Sequence, residues 1–144
     1  MLAFRPRMPL GEKLFEESGK ATGMSVKSVT ADGVVLEGNF VSQIQGVGRF
    51  PSGTNMGTAT IVQGPNTMRE TGQGVFITKD GKSVPWHLMA IGKSVEGKSK
   101  VVNLVTFHAT SQELAWLNEL LVLIESTENA PDLSTFSDVG YEWK

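Results

Sequence analysis

The chain has 144 residues, with 13 basic and 15 acidic side chains, a formal net charge of -2 and no cysteine. This length fits a single domain, and the near-balanced charge gives no electrostatic footprint for nucleic acid. Without cysteine there is no disulfide, thiolate metal cluster or cysteine nucleophile, which is compatible with the cytoplasm. No apolar run is long enough to span a bilayer. We therefore expect a cytoplasmic protein with neither a membrane span nor nucleic acid as a partner.

Turn signals divide most of the chain into strands. Residues 1–19 predict an N-terminal arm. After them, turn-forming pairs such as Asp32 with Gly33 and Asp80 with Gly81 alternate with segments rich in Val, Ile, Thr and Phe. Six antiparallel strands in meander order are predicted, over residues 21–31, 34–47, 55–63, 67–79, 83–94 and 98–108.

The pattern changes after residue 108. Thr110 or Ser111 is suited to cap a short helix that carries Glu113 in its first turn. Strand-forming composition returns over residues 120–127 and again, after a turn signal, over 135–143. The sequence thus predicts one all-β domain, an eight-stranded antiparallel meander β-barrel with one short helix before the last two strands.

Hairpin loops fix which residues share a face of the barrel. If Asp80 and Gly81 form a two-residue loop, Val75 lies opposite Trp86, and a two-residue loop at 96–97 places Trp86 opposite Phe107. The more apolar of the two resulting faces is expected inside, and Glu70 then falls outside. The inward set includes Arg69, Gln73, Val75, Trp86, Leu88, Asn103, Val105 and Phe107.

This inward set predicts a ligand cavity with a polar end and an apolar end. Arg69, Gln73 and Asn103 would form the polar end, and Val75, Trp86 and Phe107 the apolar end. A buried arginine needs an anion or several acceptors, so Arg69 is expected to bind the head group of an amphipathic small molecule. The alternative is that Arg69 lies at the rim or pairs with a carboxylate such as Glu142.

The opposite face is unusually apolar for a surface in contact with water. It carries Met89, Ile91, Val102 and Leu104 on neighbouring strands. An apolar patch of this size predicts a subunit interface, and hence a homo-oligomer.

No catalytic motif is recognisable, and no metal or cofactor is predicted. His87 and His108 lack a third ligand at a suitable spacing, and the Gly72 to Gly74 segment lacks the helix that a phosphate loop requires. Two alternatives to a binding protein remain open. One is an isomerase or cyclase that folds an unsaturated substrate, with Glu37, His87 or Asn103 orienting a water molecule or a developing charge. The other is a structural barrel packed solid.

Three separated motifs, at residues 72–81, 111–118 and 141–144, resemble an uncharacterised family of small microbial proteins. That family is grouped by fold with the allene oxide cyclase barrel, a calycin-like architecture. The resemblance implies an eight-stranded barrel that often self-associates. It implies little about activity, because one fold hosts many functions.

Overall fold

The computed structural model describes residues 10–96, 98–129 and 135–144, which form a closed antiparallel β-barrel. Each strand pairs with the next along the chain, and β8 closes the barrel against β1. This confirms the predicted eight-stranded meander barrel. The strands are β1 (Leu10–Thr30), β2 (Gly33–Gly46), β3 (Gly53–Gln63), β4 (Thr67–Thr78), β5 (Ser83–Val95), β6 (Lys98–Phe107), β7 (Val122–Asn129) and β8 (Thr135–Trp143), with a 3₁₀-helix over Gln112–Glu119 between β6 and β7.

Strand β1 begins earlier than the sequence predicts. The expected N-terminal arm is wrong over residues 10–19, which pair with β8 and, from Phe15 onward, also with β2; residues 1–9 lie outside the described residues. Phe15 and Glu17 face the interior, whereas Glu16 and Ser18 are exposed. The inward glutamate breaks the apolar alternation by which strands are recognised.

Thr78 and Lys82 close the hairpin between β4 and β5 around a three-residue loop, residues 79–81, rather than a two-residue one. The amide of Thr78 donates to the carbonyl of Lys82 at 2.9 Å, and the amide of Gly81 donates to the carbonyl of Thr78 at 2.9 Å. Gly81 has a φ of +87°, the left-handed conformation that closes a three-residue hairpin. The extra residue places Phe76 opposite Val84, so the side chains of β4 that were predicted to face inward face outward, and the reverse.

One end of the barrel is closed by packed aromatic side chains, Phe15, Phe50, Phe107 and Trp116, which we call the aromatic plug. Phe50, in the loop between β2 and β3, is only 3% exposed. Its ring centroid lies 5.0 Å from that of Phe15 and 5.9 Å from that of Phe107. Trp116 of the 3₁₀-helix packs against Phe50 from outside and also lies under the guanidinium of Arg49. Within the described residues, no helix has the length and apolar character needed to cross a membrane.

Candidate functional site

The interior of the barrel contains a cavity of about 430 Å³. Phe15, Ile44, Phe76 and Phe107 line it near the aromatic plug, and Gln63, Met68 and Ser94 line it close to the turns at the other end. Most of the lining is aliphatic or aromatic. The interior is therefore a mainly apolar space of the size that small-molecule sites occupy.

The structure brings only half of the predicted ligand-binding residues to this cavity. Trp86, Asn103 and Phe107 line it, because the register between β5 and β6 pairs Trp86 with Phe107 as predicted. The prediction that Arg69, Gln73 and Val75 point inward is wrong. All three lie on the outer face of β4, because the three-residue loop shifts that strand by one position.

The same shift brings Glu70 to the cavity. The sequence placed Glu70 outside, but it lines the interior, and its strand neighbours across β5 and β6 are Ala90 and then Asn103. Asn103 donates from Nδ2 to the carbonyl of Ile124 at 3.2 Å and to Ser126 Oγ at 3.4 Å. At this level of the barrel the cavity therefore holds the carboxyl group of Glu70, where the sequence predicted the guanidinium of Arg69.

A second polar group lies deeper, close to the plug. Glu17 Oε2 accepts a short hydrogen bond from Ser42 Oγ and another from Asn55 Nδ2 at 3.1 Å. The indole N–H of Trp86 donates to Asn55 Oδ1 at 2.6 Å, which fixes the orientation of the amide. Four strands therefore contribute one connected network of buried polar side chains.

The carboxyl group of Glu17 is perturbed by this setting. Burial raises the pKa of Glu17 above its ordinary value, and this effect outweighs the hydrogen bonds from Ser42 and Asn55, which lower the pKa. Asp138 of β8 also lines the cavity and is the direct strand partner of Glu17.

The cavity has a marked charge asymmetry. Among the residues described as lining it, Glu17, Glu70 and Asp138 are acidic, and none is a lysine, arginine or histidine. Its wall therefore offers no described cationic side chain to a ligand anion.

Trp86 also forms part of the barrel wall. Its ring lies over Gly57 and Gly74, which face each other on β3 and β4. A Cβ atom added to Gly74 would come within 2.4 Å of the indole ring and 2.2 Å of the Met56 carbonyl oxygen. The two glycines thus leave the space that the indole occupies.

The remaining candidate residues lie outside the barrel. Glu37 is exposed and its Oε2 lies 3.7 Å from Nζ of Lys27. His87 and His108 are both exposed on the outer face, with ring centroids 5.0 Å apart. No group of three potential metal ligands occurs among the described residues. Of the groups considered for an enzyme, only Asn103 reaches the cavity.

Sequence reasoning missed Glu17, Ser42, Asn55 and Asp138. They lie on four strands, and no sequence motif links them. The connection over residues 47–52 is too long to fix a hairpin register, so Ser42 and Asn55 could not be placed side by side. The one usable signal was a glutamate two residues after Phe15, at the spacing of inward positions on a strand.

No family model matches the chain, and no curated protein matches it significantly. Solved structures do resemble it. A conserved protein of unknown function from Rhodopseudomonas palustris has a TM-score of 0.74 at 16% identity, covering 92% of this chain and 97% of the other. A β-barrel-like protein from Acinetobacter baumannii AYE has a TM-score of 0.76 at 15% identity, covering 99% and 100%. An enzyme from Penicillium herquei has a TM-score of 0.66 at 19% identity, covering 98% and 99%.

At these identities the comparisons establish the fold. Two of these neighbours are a barrel-like protein and a protein of unknown function, which agrees with the resemblance to uncharacterised barrel proteins. The relation to the allene oxide cyclase barrel in particular stays a prediction.

Proposed function

We propose that this protein binds a neutral, mainly apolar small molecule inside its barrel. The observation that carries the proposal is the cavity of about 430 Å³ with its largely aliphatic and aromatic lining. A barrel built only as a structural element would be expected to fill this space with side chains, as small eight-stranded barrels do.

The charge of the lining narrows the class of ligand. An anionic head group would enter a cavity with three acidic side chains and no described cationic one, and it would lose its hydration there. The anionic amphiphile expected from an inward Arg69 therefore fits poorly. A neutral ligand loses less hydration and gains the apolar contacts.

Fluorescence titration tests this function. We expect N-phenylnaphthylamine, a neutral apolar dye, to bind about tenfold or more tightly than parinaric acid, a fatty acid anion, because the anion must be desolvated. The variant Arg69→Leu serves as a control, since this exposed residue lies outside the cavity. It should leave both affinities unchanged. Tight binding of parinaric acid that is lost in Arg69→Leu would overturn the proposal.

An enzyme of the isomerase or cyclase kind is the second candidate. The observation that favours it is a carboxyl group in the cavity, Glu17, whose pKa is raised by burial. The structural neighbour from Penicillium herquei, described as an enzyme, is compatible with such a role. Native mass spectrometry separates the two candidates: a binding protein retains one ligand species at fixed stoichiometry, whereas an enzyme converts it and releases the product.

We also propose that the protein forms a homo-oligomer through the outer face of β5 and β6 in the cytoplasm. Met89 and Ile91 are 67% and 68% exposed, and their strand partners on β6 are Leu104 and Val102. These four side chains form a contiguous apolar patch. A second copy of the chain would remove the patch from water.

Light scattering tests the oligomer. We expect a mass of at least twice the 15.5 kDa of the chain, and dissociation in the double variant Met89→Lys, Ile91→Lys, because two charges would be buried at the interface. Thr58→Lys, at an exposed site on β3, should leave the mass unchanged. A wild-type mass equal to that of one chain at high concentration would contradict the proposal.

A further inference from the structure

We propose that Glu17 is the polar anchor of the cavity, and that as a neutral carboxylic acid it donates a hydrogen bond to a ketone, aldehyde or ester oxygen of the ligand. This inference rests on the proposed binding function and adds the chemistry of the ligand. It assigns the deep end of the cavity, beside the plug, to the polar group of an otherwise apolar molecule.

The hydrogen-bond network determines which oxygen of Glu17 is the donor. Ser42 and Asn55 both donate to Oε2. Asn55 is held as a donor because its own carbonyl oxygen accepts from Trp86 Nε1. A carbonyl oxygen has two lone pairs, and these two bonds occupy both. With Oε2 accepting from both neighbours, we assign the proton of the neutral acid to Oε1.

The surroundings of Glu17 favour the neutral acid. The groups that face it are Ser42 on β2, Asn55 on β3 and Asp138 on β8, and Glu70 on β4 lines the same cavity. None of these is cationic, and burial raises the pKa of Glu17. An ionised Glu17 would be a buried charge without a described cation beside it, which is strongly unfavourable.

A carbonyl compound fits this anchor better than an amine does. A ligand ammonium would require the ionised form of Glu17, which burial opposes. A carbonyl oxygen accepts the proton of the neutral form and brings no charge into the apolar space. The two ligand classes predict opposite pH dependence, since rising pH ionises Glu17.

The test measures the Kd of Prodan, a neutral naphthyl ketone dye, between about pH 5 and pH 9, the range in which buried glutamates titrate. For the wild-type protein we expect the Kd to rise about two- to tenfold with pH, the effect of one lost hydrogen bond. The variant Glu17→Gln keeps the shape and a donor but cannot ionise, so its Kd should not change with pH. N-phenylnaphthylamine, which lacks a carbonyl, should bind with a weaker pH dependence.

Other ionisable groups are separated by matched variants. Asp138→Asn and Glu70→Gln should retain the pH dependence, and His87 and His108 lie on the outer face, away from the cavity. Loss of the dependence in Asp138→Asn but not in Glu17→Gln would overturn the inference, and so would tighter binding of dansylcadaverine, a primary amine, than of Prodan at the low end of this pH range. Failure of both neutral dyes to bind would instead contradict the binding function itself.

Thermal unfolding gives a readout without ligand. Because the pKa of Glu17 is higher in the folded chain than its ordinary 4.5, the folded state binds more protons above that pH, and the free energy of unfolding falls as pH rises toward the folded pKa. Glu17→Gln removes this loss, so its Tm should exceed the wild-type Tm by a margin that grows with pH. A margin that shrinks with rising pH would contradict a neutral Glu17.

Discussion

Replacing Ala59 with phenylalanine is expected to weaken binding of N-phenylnaphthylamine by about tenfold or more, because a ligand would have to share its space with a new ring. Ala59 lies between its strand partners Gly38 and Gly72, and all three line the cavity. This row of small residues leaves open one part of the wall. The added ring would project into existing space rather than into packed side chains.

The matched control for this variant is Thr58→Phe. Thr58 precedes Ala59 on β3 and is exposed on the outer face. The same added ring there should leave the Kd unchanged. Both variants should unfold at about the wild-type temperature, as followed by circular dichroism. Equal affinity in the two variants would show that the dye binds outside the barrel.

Replacing Phe50 with alanine should lower the free energy of unfolding by about 3–5 kcal/mol, the usual loss for a buried aromatic residue. Phe50 packs against Phe15 and Phe107 inside the barrel and against Trp116 outside it. Its removal would therefore detach three parts of the structure from one another. For a chain of this length the Tm should fall by roughly 6–20 °C.

Val47→Ala provides the comparison in the same loop. Val47 is exposed, and such surface substitutions change stability by about 0.5 kcal/mol or less. Calorimetry of both variants measures the difference directly. If Phe50→Ala unfolds no earlier than Val47→Ala, the loop does not hold the closed end together.

The sequence was sufficient to predict the architecture because turn pairs and strand composition recur at regular intervals. It was also sufficient for the inner face of β5 and β6, where the observed pairing places Trp86 opposite Phe107 as predicted. It failed for β4 because Asp80 followed by Gly81 suits both a two-residue and a three-residue hairpin, and both place a glycine at positive φ. That single ambiguity exchanged Glu70 for Arg69 in the cavity.

The deep polar group was beyond sequence reasoning for a different reason. Glu17, Ser42 and Asn55 lie on three strands whose register no short hairpin fixes, and Asp138 comes beside Glu17 only when the barrel closes and β8 pairs with β1. Ring closure is a property of the whole sheet rather than of any hairpin. Glu17 also lies in a segment whose polar residues concealed its strand character.

Gly57 and Gly74, which leave room for the indole of Trp86, constrain how the sequence of this protein can diverge. A homologue with a larger residue in place of Gly57 or Gly74 would have no room for an indole, so these positions should vary together with residue 86. Loss of the indole would also remove the N–H that orients Asn55, and through Asn55 the hydrogen bond to Glu17. The thickness of the barrel wall and the chemistry of its interior are therefore inherited as one unit.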